Sequence, residues 1–239
     1  MKPSLETLRV KLFADGADLD GMIEMSQKSF ISGLTTNPTL MRKAGITNYE
    51  DFARKVLKEI KEKSISLEVF SDEIEEMKSQ GEKIASWGEN VYVKIPVSNT
   101  RGQSTNEVIE YLVNKNVKVN VTAIMTNDQV SHVLKVLNHD IPSYISIFAG
   151  RIADTGLDPL PILKESILLL KENTSAEVIW ASPRELLNIF QADQINCHII
   201  TATQDILNKL QLVGKNLSEY SLETVQMFRN DAVNSGYQL

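Results

Sequence analysis

Short apolar runs alternate with amphipathic stretches along this chain. The runs are rich in Val, Ile, Phe and Tyr, and the stretches between them repeat apolar residues with helical spacing. This pattern predicts strands at 10–14, 32–36, 65–70, 91–97, 117–124, 144–149, 177–181 and 197–201. It predicts helices at 18–29, 49–63, 72–87, 105–114, 128–137, 158–172, 184–191 and 204–210. Eight strands that each lead into a helix indicate an α/β protein with a (β/α)8 TIM barrel.

The competing architecture is a doubly wound open sheet. It ranks second because no glycine-rich phosphate loop follows the first strand. We therefore expect a single barrel domain over 1–239, with 215–239 as a C-terminal extension. An extra helix is predicted over 221–233. It has no strand partner, so we expect it to cap the barrel or to dock on another subunit.

Composition and charge narrow the classes of partner. The 239 residues are 42% hydrophobic and 23% charged, which is typical of globular proteins. The formal net charge of −6, without a long basic run, argues against a nucleic-acid surface. The N-terminal residues lack the apolar stretch of a signal peptide, and no segment resembles a membrane span. We expect a cytoplasmic protein with no nucleic-acid and no membrane partner.

Cysteine and histidine usage makes a metal or disulfide framework unexpected. Cys197 is the single cysteine, which excludes an internal disulfide. The three histidines, His132, His139 and His198, do not have the spacing of metal ligands. We expect a reducing compartment, no metal and no cofactor.

One charge interrupts the apolar run at 91–97, and it belongs to Lys94. Burial disfavours an ammonium and favours the neutral amine, which is a nucleophile toward carbonyl groups. The alternative is a lysine at a strand end with its head in water, the commoner placement across proteins. Lys94 therefore suggests Schiff-base chemistry only if its neighbours support it.

Polar residues stand near the carboxyl ends of seven of the predicted strands, where barrel enzymes carry their active sites. The eighth strand, with Thr201 and Thr203, is chemically mild. Each buried polar group left unpaired costs about 1–3 kcal/mol. The presence of this many polar residues at one end of the barrel therefore indicates a ligand site. The candidates in chain order are Asp15, Thr36, Asn37, Glu68, Lys94, Asn120, Thr122, Ser146, Phe148, Arg151, Ser182 and Arg184.

Structural interpretations of these residues stay open at this stage. They are a turn or N-cap role for Asp15, an ion pair with Lys94 for Glu68, interior hydrogen bonds for Asn120 and Thr122, and pairing with helix carboxylates for Arg151 and Arg184.

Lys94 and two carboxylates fit the cleavage of a carbon–carbon bond. An amine and a ketone condense to an iminium, which acts as an electron sink. Asp15 at a strand mouth and Glu68 among apolar neighbours would have separated pKa values and therefore separate acid–base tasks. Arg151 and Arg184 could clamp a phosphate, with help from a helix N-terminus. The set predicts a sugar-phosphate site.

The same segments resemble the transaldolase family, in the short-chain branch that also contains fructose-6-phosphate aldolase. The matching segments are FADGAD at 13–18, GLTTNPT at 33–39, EV at 68–69, VYVKIPV at 91–97, NVT at 120–122, SIFAGR at 146–151 and ASPR at 181–184. They extend over about 10–210, nearly the whole chain.

The resemblance implies a role for each matching residue. Lys94 would be the Schiff-base lysine, Asp15 would take the C4 hydroxyl proton, and Glu68 with Thr122 would hold a catalytic water. The other implied residues are Asn37, Asn120 and Ser146 on the three-carbon intermediate, with Thr36 among the substrate-binding residues, Phe148 lining the pocket, and Arg151, Ser182 and Arg184 on the phosphate.

The implied reaction transfers a dihydroxyacetone unit from a ketose phosphate, such as fructose 6-phosphate or sedoheptulose 7-phosphate, to an aldose phosphate in the pentose phosphate pathway. Glu68 and Phe148 stand where the aldolases of this branch carry Gln and Tyr, which favours transfer over cleavage. The alternatives are a class I aldolase, a transaldolase for a different anionic sugar, and a non-catalytic sugar-phosphate binder. Trp180 and Pro183 depart from the usual residues beside the phosphate site, so the sugar stays open.

A homo-oligomer, from dimer to decamer, is also expected. Short-chain relatives form ring-like assemblies, and the apolar residues of the C-terminal segment, among them Val225 and Phe228, need cover.

Overall fold

The computed structural model describes residues 5–172 and 175–238, so the parts of the predicted domain at 1–4, 173–174 and 239 lie outside the described residues. Eight parallel strands follow one another around a closed barrel, and β1 completes it by pairing with β8. The strands are β1 Lys11–Asp15, β2 Ile31–Thr35, β3 Ser64–Glu68, β4 Val91–Pro96, β5 Val119–Ile124, β6 Ser143–Ile147, β7 Ala176–Trp180 and β8 Ile199–Thr203. The predicted barrel is confirmed, with strand ends displaced by at most two residues.

Helices follow the strands on the outside of the barrel. They are α1 Leu19–Gln27, α2 Pro38–Lys43, α3 Tyr49–Glu59, α4 Ile74–Ala85, α5 Asn106–Asn114, α6 Asn127–Leu134, α7 Ala149–Asp154, α8 Leu160–Leu169, α9 Leu187–Gln194, α10 Gln204–Leu207 and α11 Leu217–Asn234. Short 3₁₀ turns occupy Leu5–Thr7, Leu170–Glu172 and Asn208–Leu212. Helices α2 and α7 were not predicted, because six residues are too few to show a helical period.

Alternation along the strands separates an outer core from the barrel interior. Outward residues such as Val93 and Ile95 are fully buried against the helices. Inward residues form a separate apolar cluster whose centre is three rings. Tyr92 and Tyr144 stack with their centroids 4.0 Å apart, and Phe13 meets Tyr144 edge-on at 5.6 Å. We call these three residues the aromatic floor.

Gly33 gives the aromatic floor its room. A Cβ at this position would lie 2.5 Å from a ring atom of Phe13 and 2.5 Å from Oγ of Ser64, which is closer than atoms can approach. The pairing of β1 with β2 is irregular beside it, between Leu12 and Phe13. The barrel interior is therefore filled at this level by side chains, as in other eight-stranded barrels.

Polar side chains begin one inward position above the aromatic floor. Asp15, Lys94, Ser146 and Thr201 each lie two residues beyond a member of the inner apolar cluster on the same strand, so they point to the same side. Pairing of β3 with β4 sets Glu68 beside Lys94. The strand period thus places the catalytic candidates in the barrel interior, near its carboxyl end.

The C-terminal helix α11 lies apart from this core. None of its residues is buried, and its apolar side chains are largely exposed: Leu217 by 81% and Phe228 by 62%. Within the part of the chain that the structure describes, no helix is both long and apolar enough to cross a membrane.

Candidate active site

A cavity of about 490 Å³ opens at the carboxyl ends of the strands. Ten of the twelve predicted site residues line it, from Asp15 on β1 to Arg184 beyond β7. Thr36 and Asn120 are buried but do not line the cavity. The predicted residues therefore converge, even though 169 positions separate the first from the last.

Lys94 is buried in the cavity wall, and its side chain is only 7% exposed. Its Nζ lies 3.1 Å from Oε2 of Glu68 and donates to the backbone carbonyl of Thr36 at 3.1 Å. The alternative interpretation, with the head of Lys94 in water, is wrong, because the side chain is buried inside the barrel. The ion-pair interpretation of Glu68 is confirmed, although the contact does not have the alignment of a hydrogen bond.

Glu68 ends β3 in a position that a neighbouring helix supports. The hydroxyl of Tyr49 on α3 donates to the backbone carbonyl of Glu68 at 2.9 Å. Burial raises the pKa of Tyr49, so this hydroxyl keeps its proton and its hydrogen bond. The Glu68 side chain remains 16% exposed, toward the cavity that it lines.

Thr122 has a buried hydroxyl without a protein partner among the described residues. The pairing of β5 with β6 shifts between Val121 and Ile124, and Ala123 takes a left-handed conformation with φ of 62°. This bulge turns the strand where Thr122 meets the cavity. A buried hydroxyl left unpaired costs about 1–3 kcal/mol, so Thr122 is available for a ligand.

Asp15 ends β1 and faces the same cavity. Its Oδ1 accepts a hydrogen bond of 2.8 Å from the hydroxyl of Thr35. Burial raises the pKa of Asp15, while the Lys94 ammonium and the Thr35 hydrogen bond lower it and Glu68 raises it further. The N-cap interpretation of Asp15 is wrong, because Asp18 caps α1 by accepting from Gly21 N at 2.7 Å.

Asn120 does not line the cavity but holds a residue that does. Its Nδ2 donates to Oγ of Ser66 at 2.9 Å, and its Oδ1 accepts from Oγ of Ser146 at 2.7 Å. Interior hydrogen bonding, the alternative interpretation of Asn120, is therefore observed. Ser146 is the member of this group that lines the cavity.

Asn37 joins the cavity wall at the start of α2. Its Oδ1 accepts from Leu40 N at 3.0 Å, which caps the helix, and Pro38 follows at the first helical position. The cap fixes the carboxamide, and the amide nitrogen of Asn37 has no hydrogen-bond partner among the described residues.

Two arginines stand at the outer end of the cavity. Arg184 forms a bidentate ion pair with Asp154 of α7, in which Nε donates to Oδ1 at 3.0 Å. Its pairing with a helix carboxylate is therefore confirmed. Arg151 lies one turn before Asp154 on α7 and has no carboxylate partner in the described residues. The cavity thus presents two cations, one of them partly neutralised.

Close packing brings these arginines together. A Cβ at Gly150 would lie 1.6 Å from the backbone carbonyl oxygen of Ser182, so only glycine fits there. Ser182 has a left-handed φ of 58°, which turns the loop after β7 onto the start of α7. The loop that carries Arg184 therefore lies directly against the helix that carries Arg151.

Sequence reasoning missed several supporting residues. Thr35 and Thr201 bond each other beside Asp15, Ser66 holds Asn120, and Asp154 pairs with Arg184. The period of two on β8 places Thr201 inward, a signal that was available. The partner of Arg184 carried no such signal, because loop geometry selects it.

The remaining reactive side chains do not reach this cavity. Cys197 is buried on the outer side of the barrel, and burial raises the pKa of its thiol to about 12. His198 accepts a hydrogen bond from Val178 N through Nδ1, and burial lowers its pKa. Within 5–172 and 175–238, no group of three or more His, Cys, Asp or Glu side chains could hold a metal ion. The cavity offers an amine, two carboxylates, hydroxyls and guanidinium groups.

Two solved structures with a similar fold are distant from this chain in sequence. KGPDC from Streptococcus mutans superposes with a TM-score of 0.56 at 11% identity, over 87% of this chain and 100% of that one. A putative dihydrodipicolinate synthase family protein from Coccidioides immitis superposes with a TM-score of 0.58 at 11% identity, over 84% of this chain and 68% of that one. These likenesses concern the barrel alone.

Comparison with sequence relatives identifies the family more specifically than the fold does. A probable transaldolase from Sulfurihydrogenibium sp. is 33% identical over 219 residues, which cover 90% of this chain and 94% of the relative. Another from Thermoanaerobacter sp. is 30% identical over 233 residues, covering 96% of this chain and 100% of the relative. Residues 12–238 match the family described as Transaldolase/Fructose-6-phosphate aldolase. The chain therefore belongs to the transaldolase and fructose-6-phosphate aldolase family.

Proposed function

We propose that the protein is a transaldolase that moves a dihydroxyacetone unit from a ketose phosphate to an aldose phosphate. The observation that carries this proposal is the buried Lys94 amine, held by Glu68 and the Thr36 carbonyl in a cavity that Asp15 also lines. An amine with a neighbouring carboxylate can form an iminium with a ketone and pass protons as it does so.

The first step joins Lys94 to the substrate ketone. The neutral amine adds to the C2 carbonyl, giving a carbinolamine, and loss of its hydroxyl as water leaves an iminium. In this proposal Glu68 takes the amine proton and delivers one to the leaving hydroxyl, and the 3.1 Å between its Oε2 and Nζ supports this role. The unpartnered hydroxyl of Thr122 supports a role in holding the water that carries these protons.

The second step breaks the bond between C3 and C4. Asp15 takes the proton of the C4 hydroxyl, the C4 oxygen forms a carbonyl, and the bonding electrons move into the iminium to give an enamine. The aldose phosphate then leaves. An acceptor aldehyde reverses this sequence, with Asp15 returning the proton, and water releases the new ketose from Lys94.

Substrate hydroxyls and phosphate have separate partners in this proposal. We assign Ser146, held by Asn120, and Asn37 to the hydroxyls of the three-carbon unit, because both residues line the cavity. We assign Arg151, Ser182 and Arg184 to the phosphate, because all three line the cavity and two of them are cations. Asp154 leaves one edge of the Arg184 guanidinium free, which suits bidentate binding of a phosphate.

Phe148 supports transfer over simple cleavage. Its ring lines the cavity and packs against the inner apolar cluster, so it offers no proton to the enamine. An enamine that is not protonated waits for an aldehyde acceptor. The aldolase alternative needs a proton donor at this point to release free dihydroxyacetone.

Trapping with borohydride tests the proposed reaction. We expect fructose 6-phosphate and borohydride to leave a reduced sugar adduct, located on Lys94 by mass spectrometry. We expect rapid turnover of fructose 6-phosphate only when erythrose 4-phosphate is present as acceptor. Without acceptor, turnover should stop after about one molecule of fructose 6-phosphate has been cleaved per enzyme active site.

Other outcomes would assign another function. Vigorous cleavage without acceptor would identify an aldolase, and an adduct on another lysine would exclude the Lys94 mechanism. Binding of the sugar phosphate without adduct or turnover would identify a non-catalytic binder. Turnover of an unphosphorylated or carboxylated ketose in preference to fructose 6-phosphate would reassign the ligand of the two arginines.

The small-molecule site is consistent with a cytoplasmic enzyme of carbohydrate metabolism. Sugar phosphates occur in this compartment, and the single cysteine is a buried thiol that fits a reducing environment. We propose no nucleic-acid partner, because the chain carries a net charge of −6 without a long basic run.

We further propose that α11 packs on a second copy of the chain. Its exposed apolar side chains include Leu222, Val225 and Phe228, each at least 58% exposed. Such surfaces are usually covered in an assembly. Sedimentation at micromolar concentration should give an oligomer, and Val225→Glu with Phe228→Glu should shift it toward the monomer. A wild-type monomer under these conditions would contradict the assignment.

A further inference from the structure

Strand β8 contributes a hydroxyl that the proposed mechanism does not use. Thr201 is buried and lines the cavity. Its Oγ1 lies 2.5 Å from Oγ1 of Thr35 on β2. The Thr35 hydroxyl is also 2.8 Å from Oδ1 of Asp15 on β1, the strand between them. Three adjacent strands therefore share one row of hydrogen bonds that ends on the carboxylate.

The direction of this row follows from the number of protons in it. A threonine hydroxyl donates one hydrogen bond, and an ionised carboxylate donates none. Thr35 must therefore donate to Oδ1 when Asp15 is ionised. Its only proton is then used, so Thr201 must donate in the contact between the two hydroxyls.

We propose that Thr201 is a positioning residue for proton transfer at Asp15: by donating to Thr35, it keeps the Thr35 hydroxyl aimed at Oδ1 and leaves Oδ2 for the substrate. This inference rests on the proposed function, in which Asp15 is the base. In the described part of the chain, no protein group donates a hydrogen bond to Oδ2. One carboxylate oxygen is thus restrained while the other is free to react.

The charged surroundings of Asp15 come from other strands. Lys94 of β4 and Glu68 of β3 act on it across the barrel, whereas its neighbours β2 and β8 present hydroxyls. On the outer side, Asp18 and Asp205 border a second cavity of about 240 Å³ that Asp15 also lines. Among the described residues, the hydroxyls of Thr35 and Thr201 are the only uncharged side-chain groups in the hydrogen-bond row that ends on the Asp15 carboxylate.

This row affects the ionised carboxylate more than the neutral acid. A hydroxyl that accepts one hydrogen bond donates a stronger one, and donation to a charged oxygen is stronger than to a neutral one. Thr201 thus favours ionised Asp15 through Thr35. Loss of its hydroxyl should raise the pKa of Asp15 beyond the increase that burial already causes. Since a base acts only when ionised, activity should then be lost at higher pH on acidification.

The test compares Thr201→Val with wild type in the dependence of kcat/KM on pH, using fructose 6-phosphate and erythrose 4-phosphate. Valine preserves the shape of the side chain and removes only the hydroxyl. We expect the acid limb to move up by on the order of half a pH unit, with the alkaline limb unchanged. Thr201→Ser should restore the wild-type profile. Thr203→Val, in the same cavity wall but without a hydrogen bond to Thr35 in the described residues, should leave the acid limb in place.

A second readout does not depend on activity. The carboxyl carbon of Asp15 can be titrated by NMR in the ligand-free protein and assigned by its absence in Asp15→Asn. A higher Asp15 midpoint in Thr201→Val supports the inference even if wild type proves to lack transferase activity, which would contradict only the proposed function. An unmoved midpoint, or an equal shift in Thr201→Ser, would overturn the inference.

Discussion

Lys94→Arg should lose transfer of the dihydroxyacetone unit by more than about 10³-fold while the barrel stays folded. Arginine keeps the positive charge beside Glu68, so the ion pair that Lys94 makes at 3.1 Å has a replacement. A guanidinium does not lose its proton near neutral pH and does not form the iminium. The measurements are coupled turnover of fructose 6-phosphate and borohydride trapping, which should give no adduct.

Lys118 provides a matched control for this substitution. It directly precedes β5, at the amino end of the barrel, where its ammonium lies 5.3 Å from the centroid of the Tyr92 ring. Lys118→Arg should retain both turnover and the adduct on Lys94. Thermal unfolding of both variants near the wild-type temperature would show that the loss is chemical. Retention of a tenth of wild-type activity by Lys94→Arg would contradict the Schiff-base mechanism.

Asp15→Asn should lower kcat by about 10²–10⁴-fold and leave formation of the iminium largely intact. The carboxamide keeps the size and the hydrogen bond from Thr35 but cannot take the C4 hydroxyl proton. The enzyme should therefore still form a borohydride adduct with dihydroxyacetone, which needs no bond cleavage. Trapping with dihydroxyacetone and turnover of fructose 6-phosphate measure the two steps separately.

The pH dependence of wild type gives the same assignment an independent check. Burial raises the pKa of Asp15, so the acid limb should lie above the usual range of an aspartate. Activity should be present above that pKa and lost as the pH falls through it, because the base must be ionised. In Asp15→Asn, the residual activity should lack this limb.

Asp18→Asn controls for changes near the same strand. Asp18 caps α1 through Gly21 N, and asparagine caps helices about as well. This variant should keep wild-type activity and stability. Equal losses in the two variants would indicate a general disturbance of the strand end and would contradict the role of Asp15.

The barrel could be predicted because its signal is local. Apolar runs such as 91–97 and the helical periods between them recur eight times, and chain order alone then gives the parallel neighbours. The site followed from the same frame, since Asp15, Glu68 and Lys94 all end or occupy strands. What could not be assigned was the placement of each head group. Lys94 proved to be internal because it lies two residues beyond Tyr92, so the alternation of side chains along β4 turns it inward.

Contacts between distant parts of the chain carried no comparable signal. Thr35 and Thr201 are 166 positions apart in the sequence. They meet only because closure of the barrel places β2 and β8 on either side of β1. The sequence left open which helix carboxylate pairs with Arg184, and the contact of Gly150 with Ser182 fixes the loop on α7, where Asp154 is the partner. The choice between such partners depends on distances of a few ångströms in the folded chain. The type of each residue does not by itself specify these distances.

The aromatic floor has a consequence for the kinetic order of the reaction. Phe13, Tyr92 and Tyr144 are each at most 8% exposed and block passage through the barrel axis. In the proposed transfer, donor and acceptor would then use the same entrance. The first aldose phosphate would have to depart before the second approaches the enamine on Lys94, so we expect double-displacement kinetics in which excess acceptor competes with donor for the free enzyme.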